Sequence, residues 1–409
     1  MNNWQRILCL AAAGALVGTT ATGALAATVS GRSSTVLEWL DDPEGDGALP
    51  FYQYLQLNVK DIDNDGLTFR GYGRFGDDLK DELDAKSRLY YAYVEKKDLA
   101  KDLDLRFGRQ FIAVAAGASV MDGLYLSYEG LPVGVSLFGG GDVQYYEGYN
   151  AKDVIAGVEA TIRPMEGADV SVSYLQQWDG GNLAREMFGL EGGYSHGTKL
   201  DLYTELQYDW LSAGVSYFLG GVNYHPTTAL GLRAEYLYSL PVFEATSIYS
   251  VFAVSEYEEI MLEAGYRLKP GLRTFARYSL EMYPDFDDDN VIEAGIEKIR
   301  TERFSGYLSG ILRDSGDGQD LKGVKARAAY LFHEKVQAGI GAEMDVLERS
   351  LDAFGGGKDN FDDTTSSRLW ADATVYVTDS LNVQLLTERA ESELYDSYYR
   401  GRLRVNFTF

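Results

Sequence analysis

Seven arginines and five glutamates carry the chemistry this chain offers, and it is electrostatic rather than covalent. Arg70, Arg74, Arg88 and Arg106 occur early in the chain, Arg400, Arg402 and Arg404 at its end, and Glu235, Glu259, Glu263, Glu293 and Glu297 between them. Most are spaced by two or four residues within segments that alternate apolar and polar side chains, so they share one face of each segment. If the chain closes into a ring by pairing its first and last segments, the two arginine groups form one basic wall, with the glutamates opposite. Such a transverse field orients polar solutes in a pore and disfavours apolar ones. The same charges would equally serve to pair with one another and stiffen the wall, and the sequence leaves both readings open.

Covalent and metal chemistry find little support. Only His196, His225 and His333 exist, scattered and each near an expected turn, and no serine sits in a Gly-x-Ser-x-Gly context, so there is no nucleophile–base pair to promote and the chain is not expected to be an enzyme. Asp61-Ile62-Asp63-Asn64-Asp65-Gly66 imitates the start of a calcium loop, but the twelfth position is Tyr72 rather than a bidentate Glu, which favours a hairpin turn. The runs Gly139-Gly140-Gly141 and Gly355-Gly356-Gly357 lack a following Lys-Ser or Lys-Thr and are expected to be mobile loops.

The elements that position the charges are strands. From Tyr399 to Phe409, Tyr399, Gly401, Leu403, Val405, Phe407 and Phe409 fall on one face, and Arg400, Arg402, Arg404, Asn406 and Thr408 on the other. A final strand ending on an aromatic resembles the closing strand of bacterial outer-membrane β-barrels. The same period recurs upstream. Leu55, Leu57 and Val59 oppose Tyr54, Gln56, Asn58 and Lys60, while Leu67, Phe69, Gly71, Gly73 and Phe75 oppose Thr68, Arg70, Tyr72 and Arg74. A first strand is expected over Thr28–Leu40 and a second over Leu49–Lys60. Apolar-out, polar-in alternation with charge on the polar face is what a membrane barrel needs.

Connections alternate in length. Lys269-Pro270-Gly271, Thr301-Glu302-Arg303, His333-Glu334-Lys335 and Thr378-Asp379-Ser380 are short, and longer polar loops are expected near Tyr283–Asn290, Asp314–Asp320 and Leu347–Thr365. The expected fold is therefore all-β: a transmembrane antiparallel up-and-down barrel of about 22 strands (range roughly 16 to 22), with short periplasmic turns and longer outer loops. Pro241–Glu256 reads either as a loop folded into the lumen or as a further hairpin.

Composition agrees with this reading, since 30 Tyr, 45 Gly and only 8 Pro suit many twisted strands with aromatic girdles. Residues 1–26, with Arg6, an apolar run from Ile7 to Val17 and Ala24-Leu25-Ala26, read as a cleaved secretory signal, leaving 27–409 as the barrel. The one cysteine, Cys9, leaves with it, which removes thiolate metal sites and C-x-x-C-H haem attachment from the exported chain. No stretch reaches about eighteen consecutive apolar residues, so a helical span is not expected. A net charge of −25 disfavours nucleic-acid binding.

Several stretches carry a more specific resemblance. Leu105-Arg106-Phe107-Gly108-Arg109-Gln110-Phe111, Ala116-Gly117-Ala118 and Met121-Asp122-Gly123-Leu124-Tyr125 belong to it, as do Phe51-Tyr52-Gln53-Tyr54, Phe138-Gly139-Gly140-Gly141-Asp142-Val143 and Tyr236-Leu237-Tyr238-Ser239-Leu240-Pro241. Together they resemble the porin-like subunits of porin–cytochrome conduits in metal-reducing bacteria. That resemblance implies an outer-membrane barrel acting as a sheath, in which periplasmic and outer-surface multihaem c-type cytochromes meet and pass electrons to extracellular acceptors. It implies no cofactor bound by this chain, with haem only in the partners. One branch of sheath barrels carries a C-x-x-C near its N-terminus, which this chain lacks. A general diffusion porin for small polar solutes or ions meets the same residue pattern.

Overall fold

The computed structural model describes residues 27–41, 47–62, 66–144, 150–241, 256–285, 287–316, 320–350, 361–392 and 395–409. The signal-peptide reading of 1–26, the core of the calcium-like turn at 63–65, most of Pro241–Glu256 and the Gly355–Gly357 run lie outside these residues. The described chain forms strands and no helix. They are β1 (Thr28–Leu40), β2 (Pro50–Lys60), β3 (Leu67–Asp78), β4 (Arg88–Ala100), β5 (Leu103–Val114), β6 (Gly117–Tyr128), β7 (Val133–Asp142) and β8 (Val154–Met165). Next come β9 (Ala168–Asp179), β10 (Asn182–His196), β11 (Leu200–Asp209), β12 (Gly214–Tyr224), β13 (Leu230–Ser239), β14 (Tyr257–Lys269) and β15 (Leu272–Met282). The last are β16 (Asp289–Lys298), β17 (Phe304–Ser315), β18 (Leu321–His333), β19 (Val336–Ser350), β20 (Phe361–Tyr376), β21 (Leu381–Ser392) and β22 (Tyr395–Thr408).

Each strand pairs antiparallel with its neighbours in sequence, and β1 pairs with β22 from Arg32↔Thr408 to Leu40↔Arg400, which closes the sheet into a 22-stranded barrel. At about 4.8 Å per strand and roughly 40° of tilt, the backbone ring is about 44 Å across. An even strand number brings both termini to one end. Connections at that end are short, from the two residues 270–271 to the six residues 61–66. The opposite end carries the longer ones, including 41–49, 79–87, 143–153 and 240–256.

Two expectations need correction. Gly139–Gly141 is not a loop but the end of β7, where Gly140 pairs with Gly123. A Cβ on Gly123 would sit 2.2 Å from the Gly139 carbonyl oxygen, so these glycines let two strands lie unusually close. The loop expected over Leu347–Thr365 is also shorter, because β19 and β20 remain paired out to Ser350↔Phe361. Polar residues misled the reading there: a strand that projects beyond the apolar band has no hydrophobic alternation to announce it.

The outward face is a band of large exposed apolar side chains, including Ile292, Leu308, Leu312, Val324, Ile340, Met344 and Leu369, each more than half exposed. In water so continuous an apolar surface would aggregate. Against hydrocarbon it contributes about 1.5–3 kcal/mol per fully buried side chain. The seam is held by aromatics on the same outer face. Trp39 lies over Gly401, where a Cβ would come within 1.8 Å of the indole, and Phe409 lies over Gly31.

Among the described residues, the buried apolar cluster sits inside the barrel. It comprises Ile112, Ala116, Met121, Phe138, Ile155, Leu175 and Met187. Its origin is the β5–β6 hairpin. β5 is bonded to β4 only as far as Arg109, just past Gly108 with its φ of 124°, and β6 is bonded to β7 from Met121 onward. The tip between them leaves the wall and folds inward. The Ala116 amide donates to Ser173 Oγ at 2.7 Å, and the Ala115 amide donates to the Glu159 carboxylate. Ser173 is six residues inside the far end of β9, so the tip reaches about 20 Å down the inner wall. The hairpin covers the apolar side chains Phe138, Ile155, Leu175 and Met187 on the inner faces of β7 to β10.

Candidate channel lining

Register places the inner face row by row. Arg32, Ser34, Val36 and Glu38 on β1 lie beside Thr408, Asn406, Arg404 and Arg402 on β22, and beside Gln56, Tyr54 and Tyr52 on β2. β3 adds Arg70, Tyr72 and Arg74, and β4 adds Arg88, Tyr91, Tyr93 and Glu95. The two arginine groups singled out from the sequence thus share one wall, spanning β22 through β5.

Within that wall the arginines are not equivalent. Arg70 and Arg106 share Glu95, at 3.1 and 2.9 Å, and that carboxylate is buried. Arg400 contacts Glu388 at 2.7 Å, and Arg368 reaches the same carboxylate at 2.6 Å. Arg74 lies 4.6 Å from the centre of the Tyr52 ring and donates to the Lys86 carbonyl. Arg88 stands opposite Arg74 in register, and Arg402 opposite Glu38. The charged surroundings of Arg404 are Arg402, Arg32 and Glu38 with Tyr54, and its buried Nε, like those of Arg70 and Arg368, has no hydrogen-bond partner.

The glutamates expected opposite are accompanied by cations of their own. Arg233, Glu263, Arg277 and Glu293 form one register row across β13 to β16, alternating in sign. Arg277 contacts Glu263 at 2.7 Å and Glu293 at 3.4 Å, Arg233 contacts Glu235 at 2.6 Å, and Arg273 contacts Glu297 at 2.9 Å. Glu259 accepts a hydrogen bond from the Tyr257 hydroxyl at 2.8 Å. A second alternating row runs through Lys325, Glu343 and Arg368. These rows are ladders that neutralise themselves, and they stiffen the wall more than they project a field.

The uncompensated acids lie elsewhere. Glu191 faces Glu205 in register, with Asp169 also nearby, and the charged neighbour of Glu159 is Glu191. This sector, on β8 to β11, was not singled out from the sequence, nor were Arg273, Arg277, Glu95, Arg368 and Glu388. Parity alone puts Arg277 on the inner face of its strand, but only register reveals that it bridges two acids.

Stacking among the inner-face tyrosines is the other feature absent from the sequence reading. Tyr54 and Tyr72 have ring centres 6.3 Å apart and planes at 20°, and Tyr72 and Tyr90 are 4.8 Å apart at 20°. Tyr52, Tyr91 and Tyr93 extend the ladder through tilted contacts. Tyr90 and Tyr91 are adjacent, so strict alternation would send one of them outward. A register irregularity between β3 and β4 at Tyr72/Gly73 brings both to Tyr72. The hairpin faces this wall: Phe111, exposed, lines a recess of about 300 Å³ with Tyr91, Tyr93, Arg70 and Arg106.

No protein-family model matches the chain, and no curated protein matches it. Solved structures do. The P pilus usher (PapC) translocation pore is 9% identical, over 93% of this chain and 100% of that one, with a TM-score of 0.51. Pseudomonas aeruginosa OpdQ is 11% identical over 94% and 99%, with a TM-score of 0.48, and Pseudomonas aeruginosa OccK7 (OpdD) is 12% identical over 94% and 99%, at 0.47. At such identities the likeness to the usher pore is one of fold alone: a large closed antiparallel barrel.

Proposed function

We propose that the chain is a channel of the Gram-negative outer membrane that lets small polar solutes cross by diffusion. The observation that carries this is the opposition of two faces: a band of exposed apolar side chains outside, and arginines, glutamates and tyrosines inside a closed ring. The folded-in β5–β6 tip favours a solute channel, because it occupies part of the inner wall at mid-depth and brings Phe111 beside Arg70, Arg106, Tyr91 and Tyr93. Export through a cleaved signal at 1–26 belongs to the same reading.

The second reading is the cytochrome sheath, supported by the sequence resemblance and by the width of the ring, about 44 Å at backbone level. The chain would then carry no haem itself, and periplasmic and outer-surface multihaem cytochromes would fill the bore. One purification separates the two. Protein extracted from native membranes in mild detergent should be colourless and should make liposomes leak small sugars and amino acids. A red preparation containing stoichiometric haem proteins, whose liposomes become leaky only after those proteins are stripped away, would overturn the diffusion channel in favour of the sheath.

A further inference from the structure

We propose that the recess between Arg404 and the tyrosine ladder is a binding subsite for small carboxylates that carry a flat ring. The recess is about 440 Å³ and is formed by Arg32, Arg404, Tyr54, Tyr72, Tyr90 and Gln56, contributed by five consecutive strands around the seam. That size falls within the range of small-ligand cavities. No Asp or Glu lines it.

Several inner-wall arginines have already met an anion: Arg70, Arg106, Arg277, Arg368 and Arg400 each touch a carboxylate. Arg32 and Arg404 do not. Arg32 spends one N–H on the Asn406 amide oxygen at 2.8 Å, and that oxygen is also held by Ser34 at 2.6 Å. Arg404 keeps a buried Nε with nothing to donate to. Two guanidinium groups facing one recess without a carboxylate concentrate positive potential there. The partner that best satisfies a guanidinium fork is a carboxylate, bound through two parallel hydrogen bonds.

The opposite side of the recess selects what the carboxylate is attached to. Tyr54, Tyr72 and Tyr90 present three rings with nearly parallel planes. Such a surface attracts a planar ring by stacking, while their hydroxyls and the Gln56 amide keep the site wet. An inorganic anion would leave the rings unused, and an aliphatic acid would meet them without a π face. Continuation of the ladder to Tyr91 and Tyr93, next to Phe111 of the hairpin, extends the aromatic surface toward the middle of the bore.

Because solute would reach the recess from the bore, this inference rests on the channel reading, and its test is kept independent of conductance. Binding of benzoate, cyclohexanecarboxylate and acetate to the full barrel in detergent micelles is measured at equilibrium by ligand-detected NMR. Benzoate should bind about tenfold more tightly than cyclohexanecarboxylate, the ratio that one stacking contact supports. Arg404→Gln should weaken all three acids, Arg404→Lys should recover part of the loss, and Tyr72→Leu should abolish the difference between the two ring acids. Heat-modifiable migration confirms that each variant is a folded barrel. Equal affinity for the two ring acids, or benzoate binding unchanged by Arg404→Gln, would overturn the subsite. Benzoate binding to a barrel that passes no solute would refute the channel and leave the subsite standing.

Discussion

Replacing Gly189 by Val tests whether the β5–β6 tip is seated on the inner wall. A Cβ on Gly189 would lie 2.1 Å from the Ala115 carbonyl carbon and from the Ala116 nitrogen. Both are backbone atoms, so no side-chain rotation relieves the overlap. Either β10 or the tip must move, and the two are unequally held. β10 is bonded along its length to β9 and β11, whereas the tip has no strand partner on its outer edges beyond Arg109 and before Met121. The tip therefore gives way. What holds it is the burial of Ile112 and Met121, 2% and 0% exposed, worth about 3–6 kcal/mol together, with about 1 kcal/mol from each of the two tip hydrogen bonds. A tip held by even 3 kcal/mol is released less than about 1% of the time, so releasing it should speed exchange of the Ala116 amide by about a hundredfold. Hydrogen-exchange mass spectrometry of peptides covering 110–119 reads this directly, and single-channel conductance should rise in the same variant. Exchange within about threefold of the parent, with unchanged conductance, would refute the seating of the tip.

Three further outcomes follow from the lining. Glu388→Gln removes the carboxylate that Arg368 and Arg400 share, whose side chain is fully enclosed, and should cost about 1–3 kcal/mol in urea unfolding of the reconstituted barrel, while Glu391→Gln, in an exposed pair, should cost less than about 0.5. Equal losses would place no special weight on the enclosed site. Arg277→Gln strips Glu263 and Glu293 of their shared cation, so the reversal potential in a salt gradient should shift toward cation preference, and an unmoved potential would mean this row does not face the conduction path. Gly401→Val collides with Trp39 at the β1–β22 seam and should lower the yield of closed barrel on gels, with partial recovery when Trp39→Ala is added, a coupling that a double-mutant cycle measures.

Strand existence and an approximate strand number were legible in the sequence by itself, and closure followed from reading those strands as membrane-spanning. Lipid and water impose their demand residue by residue, so the row Leu403, Val405, Phe407 against Arg402, Arg404, Asn406 declares both faces without reference to any other part of the chain. Tertiary structure decided which of the charges on the inner face meet. Whether Arg277 bridges Glu263 and Glu293 depends on register across three strands, and a shift of one residue would send the whole row to the other face. The irregularity that brings Tyr90 and Tyr91 together onto Tyr72 breaks the period from which parity is read. Hardest to foresee was the hairpin. Ile112 and Met121 lie at inward positions in an otherwise polar interior, and only the apolar patch of Phe138, Ile155, Leu175 and Met187, assembled from β7 to β10, explains why they fold in rather than face water.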